Sequence, residues 1–214
     1  QKDSFFVVYS AFDGRSAAYM ACGLAGESGE PVVLSCTGAT ASRNYMPGLT
    51  EAFYRKLPVL ALTSMHFRED IGNLSTQIID RSVIPNDIAR YHTTLEPIDN
   101  GRVAKDEELR INIALSELTR DGGGPVAIEL ITDGRYGFSS TQLPKVHKIT
   151  RYSVENSLAW PSFPKDAKTI VFLGAHSNFS TKETETLDRF MESHDAVIFS
   201  DISSGYYGKY AFRS

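Results

Sequence analysis

The fold of this chain is constrained most strongly by residues 31–63, where two apolar runs flank a turn of small residues. Val32, Val33 and Leu34 form a continuous apolar run, which is typical of a strand buried on both faces. Apolar residues then recur at helical spacing, and a second apolar run follows at residues 57–62. Strand, helix and strand predict a βαβ unit with a right-handed crossover, in which ligands bind at the carboxyl ends of the strands.

The turn in this unit, residues 37–42, contains no large side chain that would keep a ligand away from the backbone. Thr37, Gly38 and Ala39 come first, directly after the first apolar strand. If the chain binds a cofactor, we expect it at this turn. The alternative is that Thr37 and Gly38 only form a tight connection between strand and helix.

The rest of the chain repeats the alternation of strands and helices. Apolar runs predict further strands at residues 5–9, 89–95, 125–131, 169–174 and 195–200. Helical periodicity predicts three helices: one between the turn at 13–16 and the stop signal at 26–29, one over 106–119 and one over 180–193. The polar residues 64–77 are too irregular for an element and long enough for a functional loop. The predicted fold class is α/β, with a three-layer parallel sheet covered by helices on both faces and a partial second, Rossmann-like α/β domain.

Proline density marks the boundary between the two predicted domains. Three prolines fall within residues 133–168, which lack sustained periodicity and are interpreted as an interdomain linker. Residues 1–132 then form the first domain and residues 169–214 the second. Because about 45 residues cannot close a core of their own, we expect the second domain to be partial.

Composition and charge argue against several classes of partner. The chain has 214 residues and a net charge of −4, which gives no electrostatic reason to expect nucleic acid or an anionic membrane surface. No apolar run approaches the roughly 20 residues of a membrane span, and the first residues lack the pattern of a signal peptide. Cys22 and Cys36 fit neither a disulfide framework nor a metal site, and the five histidines lack metal-ligand spacing. We therefore expect a cytoplasmic protein without a metal site of its own.

Five separated segments resemble, in order and spacing, the N-terminal part of the thiamine diphosphate-dependent enzymes. They are GRSAAYMACGLAGESGEPVVLSCTG, then Asn44, then PGLTEAFYRKLPVLALT, IGNLSTQIIDRSV and GGGPVAIEL. The similar groups are acetolactate synthase, the 2-oxoacid decarboxylases and the succinyl-enolpyruvyl-cyclohexene-carboxylate synthase of menaquinone synthesis. The resemblance covers residues 5–132, which correspond to a pyrimidine-binding domain without its usual first strand and helix. Residues 169–200 resemble the first half of the family's middle domain.

The resemblance implies a function and a cofactor. It implies a lyase or carboligase that acts on a 2-oxoacid, with thiamine diphosphate bound between the two chains of a homodimer. This chain would supply the pyrimidine-binding half of the site through Thr37, Gly38, Ala39, Asn44 and Gln77. The family holds the diphosphate and Mg²⁺ in a separate domain with a Gly-Asp-Gly motif, which this sequence does not contain. Alone, the chain is therefore expected to be inactive.

One departure from the family's pattern concerns catalysis. In the family, a glutamate bonds to a ring nitrogen of the pyrimidine and promotes ionisation of the cofactor. Aligned on the family's pattern, GRSAAY places Gly14 at the position of that glutamate, and the neighbouring Asp13 would be a shorter and differently directed substitute. A second departure is a turn that is one residue longer between Gly38 and Asn44.

Several alternatives stay open at this point. The chain could be a non-catalytic binding or assembly protein that retains the fold without the glutamate, a hypothesis that Gly14 favours. Gln77 could be a surface amide, and Asn44 could be a helix cap rather than a ligand. A nucleotide-binding Rossmann protein is disfavoured, because no Gly-x-Gly-x-x-Gly follows any predicted strand.

Overall fold

The computed structural model describes residues 5–98, 100–132, 142, 145–152, 160, 162 and 167–213, and in it the chain separates into two compact units. Unit 1 comprises Gln1–Arg151 and unit 2 comprises Tyr152–Ser214. The boundary between them falls within the segment predicted as a linker, most of which lies outside the described residues.

Unit 1 is built around a parallel sheet of four strands. Its elements in chain order are α1 (Gly14–Ser28), β1 (Val32–Thr37), α2 (Ala39–Asn44), α3 (Met46–Tyr54), β2 (Val59–Met65), β3 (Tyr91–Leu95), α4 (Gly101–Glu117) and β4 (Val126–Ile131). The strand order is β1-β2-β4-β3, and each neighbouring pair is parallel. All four strands therefore end at the same edge of the sheet, which confirms the predicted βαβ unit and the α/β class.

Helices cover this sheet on both faces. One apolar cluster joins α1 and α3 to the side of β1 and β2 on which Leu34, Val59 and Ala61 lie. A second cluster joins α4 to the opposite side, where Leu60 and Leu62 lie. Because successive strand residues point to opposite faces, the continuous apolar runs of these strands serve both layers. The predicted three-layer arrangement is confirmed.

Small residues let α1 lie close to the helix beside it. At Gly48 in α3, a Cβ atom would come within 2.5 Å of the Cβ atom of Ala18 in α1, so glycine is needed there. Ala21 and Ala25 continue the same buried face of α1. The helix ends before Gly29, whose φ of 70° gives the left-handed conformation that commonly terminates helices.

The strand predicted for residues 5–9 is wrong. The structure places residues 6–12 outside any helix or strand, and Phe5, Val7 and Phe12 are largely exposed. A strand requires a neighbouring strand to satisfy its backbone groups. Among the described strands, β1 pairs with β2 alone. The apolar segment therefore has the composition of a strand but pairs with no sheet edge in the described part of the chain.

Helix α4 begins five residues earlier than the sequence pattern predicts. The Asn100 side chain accepts hydrogen bonds from the backbone N–H groups of Arg102 and Val103, at 3.0 and 3.1 Å. This cap satisfies N–H groups that a helix start otherwise leaves unpaired, so the helix begins at Gly101.

Unit 2 is a smaller parallel sheet packed on a helix. Its elements are β5 (Thr169–Leu173), α5 (Thr181–His194), β6 (Ala196–Ser200) and β7 (Ala211–Arg213), and the strand order is β5-β6-β7. Met191, Ile198 and Tyr206 belong to its core. The predicted strands and helix of this unit are confirmed. The sequence does not predict β7, because three residues are too few for a periodic pattern.

We predict that Ser180→Ala weakens the start of α5. The Ser180 hydroxyl accepts a hydrogen bond from the Glu183 N–H, and the Glu183 carboxylate accepts one from the Ser180 N–H, which together form a capping box. Because losing such a cap costs about 1 kcal/mol, amides in the first turn should exchange about fivefold faster in hydrogen-exchange mass spectrometry. Thr181→Ala, at the neighbouring exposed position, is the control and should leave exchange unchanged. Equal exchange in the two variants would show that the capping box does not hold this helix start.

Candidate functional site

The turn between β1 and α2 is the first part of the candidate site. β1 ends at Thr37 and α2 begins at Ala39, so Gly38 alone connects them. Gly38 has a φ of 76°, a left-handed conformation that residues with side chains rarely adopt. The turn lies at the carboxyl end of a parallel strand, where open α/β sheets bind their ligands.

Gln77 reaches this turn from the loop that follows β2. Its side-chain Oε1 accepts a hydrogen bond from the Ala39 N–H over 3.4 Å and lies 3.1 Å from the point where a Cβ atom on Gly38 would stand. Gln77 itself has a φ of 66°, which is uncommon for a residue with a side chain. The structure thus brings Gln77 together with Gly38 and Ala39, and the amide covers the bare backbone of the turn.

Gly14, the first residue of α1, lies against the backbone of α2. A Cβ atom at Gly14 would stand 2.3 Å from the carbonyl oxygen of Ala41 and 3.2 Å from the Cβ atom of Asn44. The shorter distance is far below van der Waals contact, so no side chain fits at this position unless one of the two helices moves. Asn44 is thereby placed beside Gly14, and Asn44 is exposed.

The carboxylate of Asp13 caps α1. It accepts hydrogen bonds from the backbone N–H of Ser16 at 3.0 Å and from the Ser16 hydroxyl at 2.7 Å. These hydrogen bonds hold the pKa of Asp13 below its usual value. Asp13 is therefore an ionised helix cap, and both of its carboxylate oxygens bond to the first turn of its own helix.

A buried group of polar and charged residues lies beside the turn, and sequence reasoning missed it. Glu129 of β4 accepts hydrogen bonds from Nε of Arg81 at 2.6 Å and from the Thr94 hydroxyl at 3.3 Å. Arg81 also donates from a terminal nitrogen to the hydroxyl of Ser42 in α2. His92 Nε2 approaches the Glu129 carboxylate to 3.4 Å without the alignment of a hydrogen bond. The one signal in the sequence is an acidic residue inside the apolar run VAIELI.

Glu129 stays ionised although it is almost completely buried. Burial raises the pKa of a carboxyl group, but the adjacent His92 and the charge of Arg81 outweigh burial and lower the pKa of Glu129 overall. The side chains of Arg81 and Glu129 are only 9% and 5% exposed. They therefore form a buried ion pair, in which the loss of either partner leaves an uncompensated charge.

A cleft runs along β3 and past the carboxyl ends of β2 and β4, and the buried ion pair forms part of its wall. Its volume is about 480 Å³, and Arg68, Arg110 and Ile131 are among the residues that line it. The candidate site therefore consists of the turn with Gln77 and of this adjacent cleft. Arg81 contacts both, because it lines the cleft and bonds to Ser42 in α2.

The described residues provide neither a metal cluster nor a membrane-spanning helix. No group of three or more His, Cys, Asp or Glu side chains among them is arranged to hold a metal ion. Within the same residues, none of the helices combines the length and the hydropathy that a membrane span requires.

Comparison with known protein families matches the part of the chain that contains the turn. Residues 2–84 match the family described as thiamine pyrophosphate enzyme, N-terminal TPP binding domain. The matched region includes Gly14, Gly38, Asn44 and Gln77.

Two similar proteins are 2-succinyl-5-enolpyruvyl-6-hydroxy-3-cyclohexene-1-carboxylate synthases. The protein from Phocaeicola vulgatus is 32% identical over 151 residues, which cover 69% of this chain and 27% of that protein. The protein from Halorubrum lacusprofundi is 36% identical over 124 residues, which cover 58% of this chain and 20% of that protein. The chain thus spans about a quarter of the length of the curated relatives that it matches.

A solved structure from Mycobacterium smegmatis, of a protein assigned to the thiamin diphosphate-dependent enzymes, is also similar. The TM-score is 0.55 at 17% sequence identity, and the match covers 94% of this chain and 38% of that chain. At this identity the similarity shows the fold alone.

We predict that Gly14→Ala destabilises unit 1. Alanine favours a helix over glycine by up to about 1 kcal/mol, but here its Cβ atom would press on the Ala41 carbonyl, and such overpacking costs about 1–3 kcal/mol. Gly23→Ala is the control, because no atom lies within 4 Å of an added Cβ at that position in the same helix, and it should stabilise the unit. Urea unfolding followed by circular dichroism measures both variants. A stabilised Gly14→Ala would show that α1 and α2 separate readily.

The buried ion pair predicts a pH-dependent loss of stability in Glu129→Gln. Near neutral pH this variant should lower the free energy of unfolding of unit 1 by about 3–5 kcal/mol, because it leaves the Arg81 charge unpaired. Since folding lowers the pKa of Glu129, the stabilisation is full above its ordinary value of 4.5 and declines as the pH falls toward the lowered pKa. The difference between wild type and variant should therefore shrink in urea titrations at about pH 4.

A double variant, Arg81→Met with Glu129→Gln, is the control for this prediction. Because no charge is left unpaired, it should be more stable than Glu129→Gln alone. If the single variant loses no stability, Arg81 must find another partner, and the ion pair does not support this wall of the cleft.

Proposed function

This chain carries the N-terminal binding domain of the thiamine pyrophosphate enzymes, matched over residues 2–84, and from this premise we propose that it supplies the pyrimidine-binding half of a thiamine diphosphate site. Thiamine diphosphate and thiamine pyrophosphate are the same compound. The complete enzyme that we propose is a lyase or transferase that makes or breaks a carbon–carbon bond of a 2-oxoacid. The synthases among its relatives support this class of reaction.

The turn at Gly38, which has no large side chain of its own and is covered by the Gln77 amide, is the observation that carries the proposal. A planar pyrimidine ring needs a wall without large side chains, and Thr37, Gly38 and Ala39 provide one at the carboxyl end of β1. The Ala39 N–H and the Gln77 amide bond to each other over a long distance of 3.4 Å. The edge of a bound ring can replace this bond, by accepting from the Ala39 N–H and donating to the Gln77 amide oxygen. Asn44 would contribute a second amide from the end of α2.

The residues of this chain fit the binding of the cofactor better than its activation. Bound thiamine diphosphate supplies a carbon nucleophile for attack on a carbonyl group, and this chain would hold and orient its ring. The chain does not supply the carboxylate of the family, because Gly14 has no room for a side chain and Asp13 caps its own helix. In our proposal the diphosphate and Mg²⁺ are held by a domain outside this chain, so the chain alone is inactive.

We further propose that this domain forms a homodimer, so that a second chain closes the other side of the ring. Tyr19, Met20 and Leu24 support this proposal, because they make the exposed face of α1 apolar.

Cys22 and Cys36 are both free, which is consistent with the reducing conditions of the cytoplasm.

The lack of space for a side chain at Gly14 favours a second function. A chain that keeps the fold but has no room for the family's glutamate is suited to be a non-catalytic binding or assembly protein. In this alternative the turn at Gly38 is only a connection between strand and helix, and Gln77 only covers its backbone.

Thiamine binding tests the proposal, and saturation-transfer difference NMR measures it on the full chain. We expect transfer to the pyrimidine protons to exceed transfer to the thiazolium protons, since the pyrimidine is the part that contacts this chain. Thr37→Trp should abolish the transfer, because the indole would fill the space beside the turn in which we expect the ring to bind. Thr119→Trp, beyond the end of α4, is the matched control and should leave the transfer unchanged.

The outcomes of this experiment separate the two functions. Transfer that survives Thr37→Trp would place the ligand away from the turn and contradict the proposal. Absence of transfer to the unmodified chain would favour the non-catalytic alternative.

A further inference from the structure

The segment that carries Gln77 contains one buried residue, an arginine, and the next buried residue before β3 is Ile88. Residues 66–82, all of which the structure describes, connect the end of β2 to the approach of β3, and among them only Arg81 is buried, with 8% of its surface exposed. Arginine is among the residues that proteins bury least. The contacts of Arg81 therefore help hold this end of the loop, together with a hydrogen bond of 2.9 Å from Arg43 in α2 to the Asp80 carbonyl oxygen.

Those contacts extend from the sheet to the turn. Nε of Arg81 donates to Glu129 on β4 at 2.6 Å, and a terminal nitrogen donates to the Ser42 hydroxyl. The Ser42 hydroxyl in turn lies 2.9 Å from the carbonyl oxygen of Gly38 and 3.0 Å from that of Ala39. A continuous series of hydrogen bonds thus joins an interior strand of the sheet to the turn between β1 and α2.

Gln77 lies four residues before this anchor, and its backbone conformation needs support. Its φ of 66° is one that residues with side chains hold only where the surrounding structure imposes it. We propose that Arg81 is a positioning residue, whose bonds to Ser42 and Glu129 hold the Gln77 loop against the turn at Gly38. The inference deepens the proposed function and rests on it, because the turn is the surface that would receive the ring.

The identity of the anchor supports this role more than a role in stability alone. A buried ion pair returns little net stability, because desolvation offsets the attraction, and an apolar side chain could anchor a loop equally well. An arginine adds a planar group whose N–H donors point in fixed directions to two different elements. Its specific effect is therefore to set the position of the loop relative to the turn.

Two hydroxyls of the same hydrogen-bond network allow a matched test. Ser42→Ala removes the bond on the turn side, and Thr94→Val removes the bond from Thr94 to Glu129 on the sheet side. We expect the Ala39 amide to exchange about tenfold faster in Ser42→Ala, measured by NMR, and to be unchanged in Thr94→Val. Transfer from the protein to the pyrimidine protons of thiamine should fall in Ser42→Ala.

Arg81→Lys shows whether the effect of Ser42 acts through Arg81. Lysine keeps a positive charge for Glu129, but its compact ammonium cannot reproduce the two directed bonds. Arg81→Lys should therefore also accelerate Ala39 exchange. The double variant should exchange no faster than Ser42→Ala alone, because the bond that Arg81→Lys loses is already lost in Ser42→Ala.

The results that would overturn the inference differ from those that would overturn the proposed function. Additive effects in the double variant, or unchanged Ala39 exchange in Arg81→Lys, would remove Arg81 from its positioning role. If Arg81→Lys does not fold, equal exchange in Ser42→Ala and Thr94→Val would remove it as well. If the exchange pattern holds while thiamine shows no transfer to the unmodified chain, the positioning role stands and the proposed function fails.

Discussion

The structure of unit 1 depends on how closely α1 approaches the two helices that follow β1. Gly48 meets Ala18 where α3 crosses α1, and Gly14 meets the Ala41 carbonyl where α1 begins beside α2. Interiors are packed as densely as organic crystals, so one added carbon at either contact would displace a whole helix. Because α2 follows the turn at Gly38 directly, the packing of α1 also sets the geometry of that turn.

The local parts of this arrangement could be predicted from the sequence, and the parts that need a distant partner could not. The strands β1 and β2 are predicted correctly because a continuous apolar run reports burial on both faces without reference to the rest of the chain. The same logic gives a strand at residues 5–9, where it is wrong, since a strand also needs a neighbour to pair with. The small size of the residues in the turn can also be read from the sequence without knowledge of a distant partner. Their role in binding stays a prediction.

The buried ion pair shows why part of the candidate site is hidden from sequence reasoning. Arg81 and Glu129 are separated by 48 positions, and neither lies in a periodic pattern that would indicate the other. Arg81 lies in an irregular polar loop, where the sequence indicates a surface residue. Glu129 interrupts an apolar strand and is the only local sign of a buried polar contact. The sequence likewise predicts that Gly14 stands where the family has a glutamate, but only the structure shows that a side chain has no space at this position.

The lack of a side chain at Gly14 is therefore coupled to the packing of the neighbouring helix α2. A side chain restored at Gly14 would have to displace the Ala41 carbonyl, and Ala41 precedes Ser42 in the same short helix. Displacing that helix would strain the bond from Arg81 to Ser42, which in our proposal helps hold the Gln77 loop against the turn, and also the bond from the Ala39 N–H to Gln77. A side chain at position 14 and the present position of Gln77 thus compete for one backbone geometry. For this reason we expect that Gly14→Glu would also disturb the turn at Gly38, so ring binding and catalysis have to be measured as separate properties of this chain.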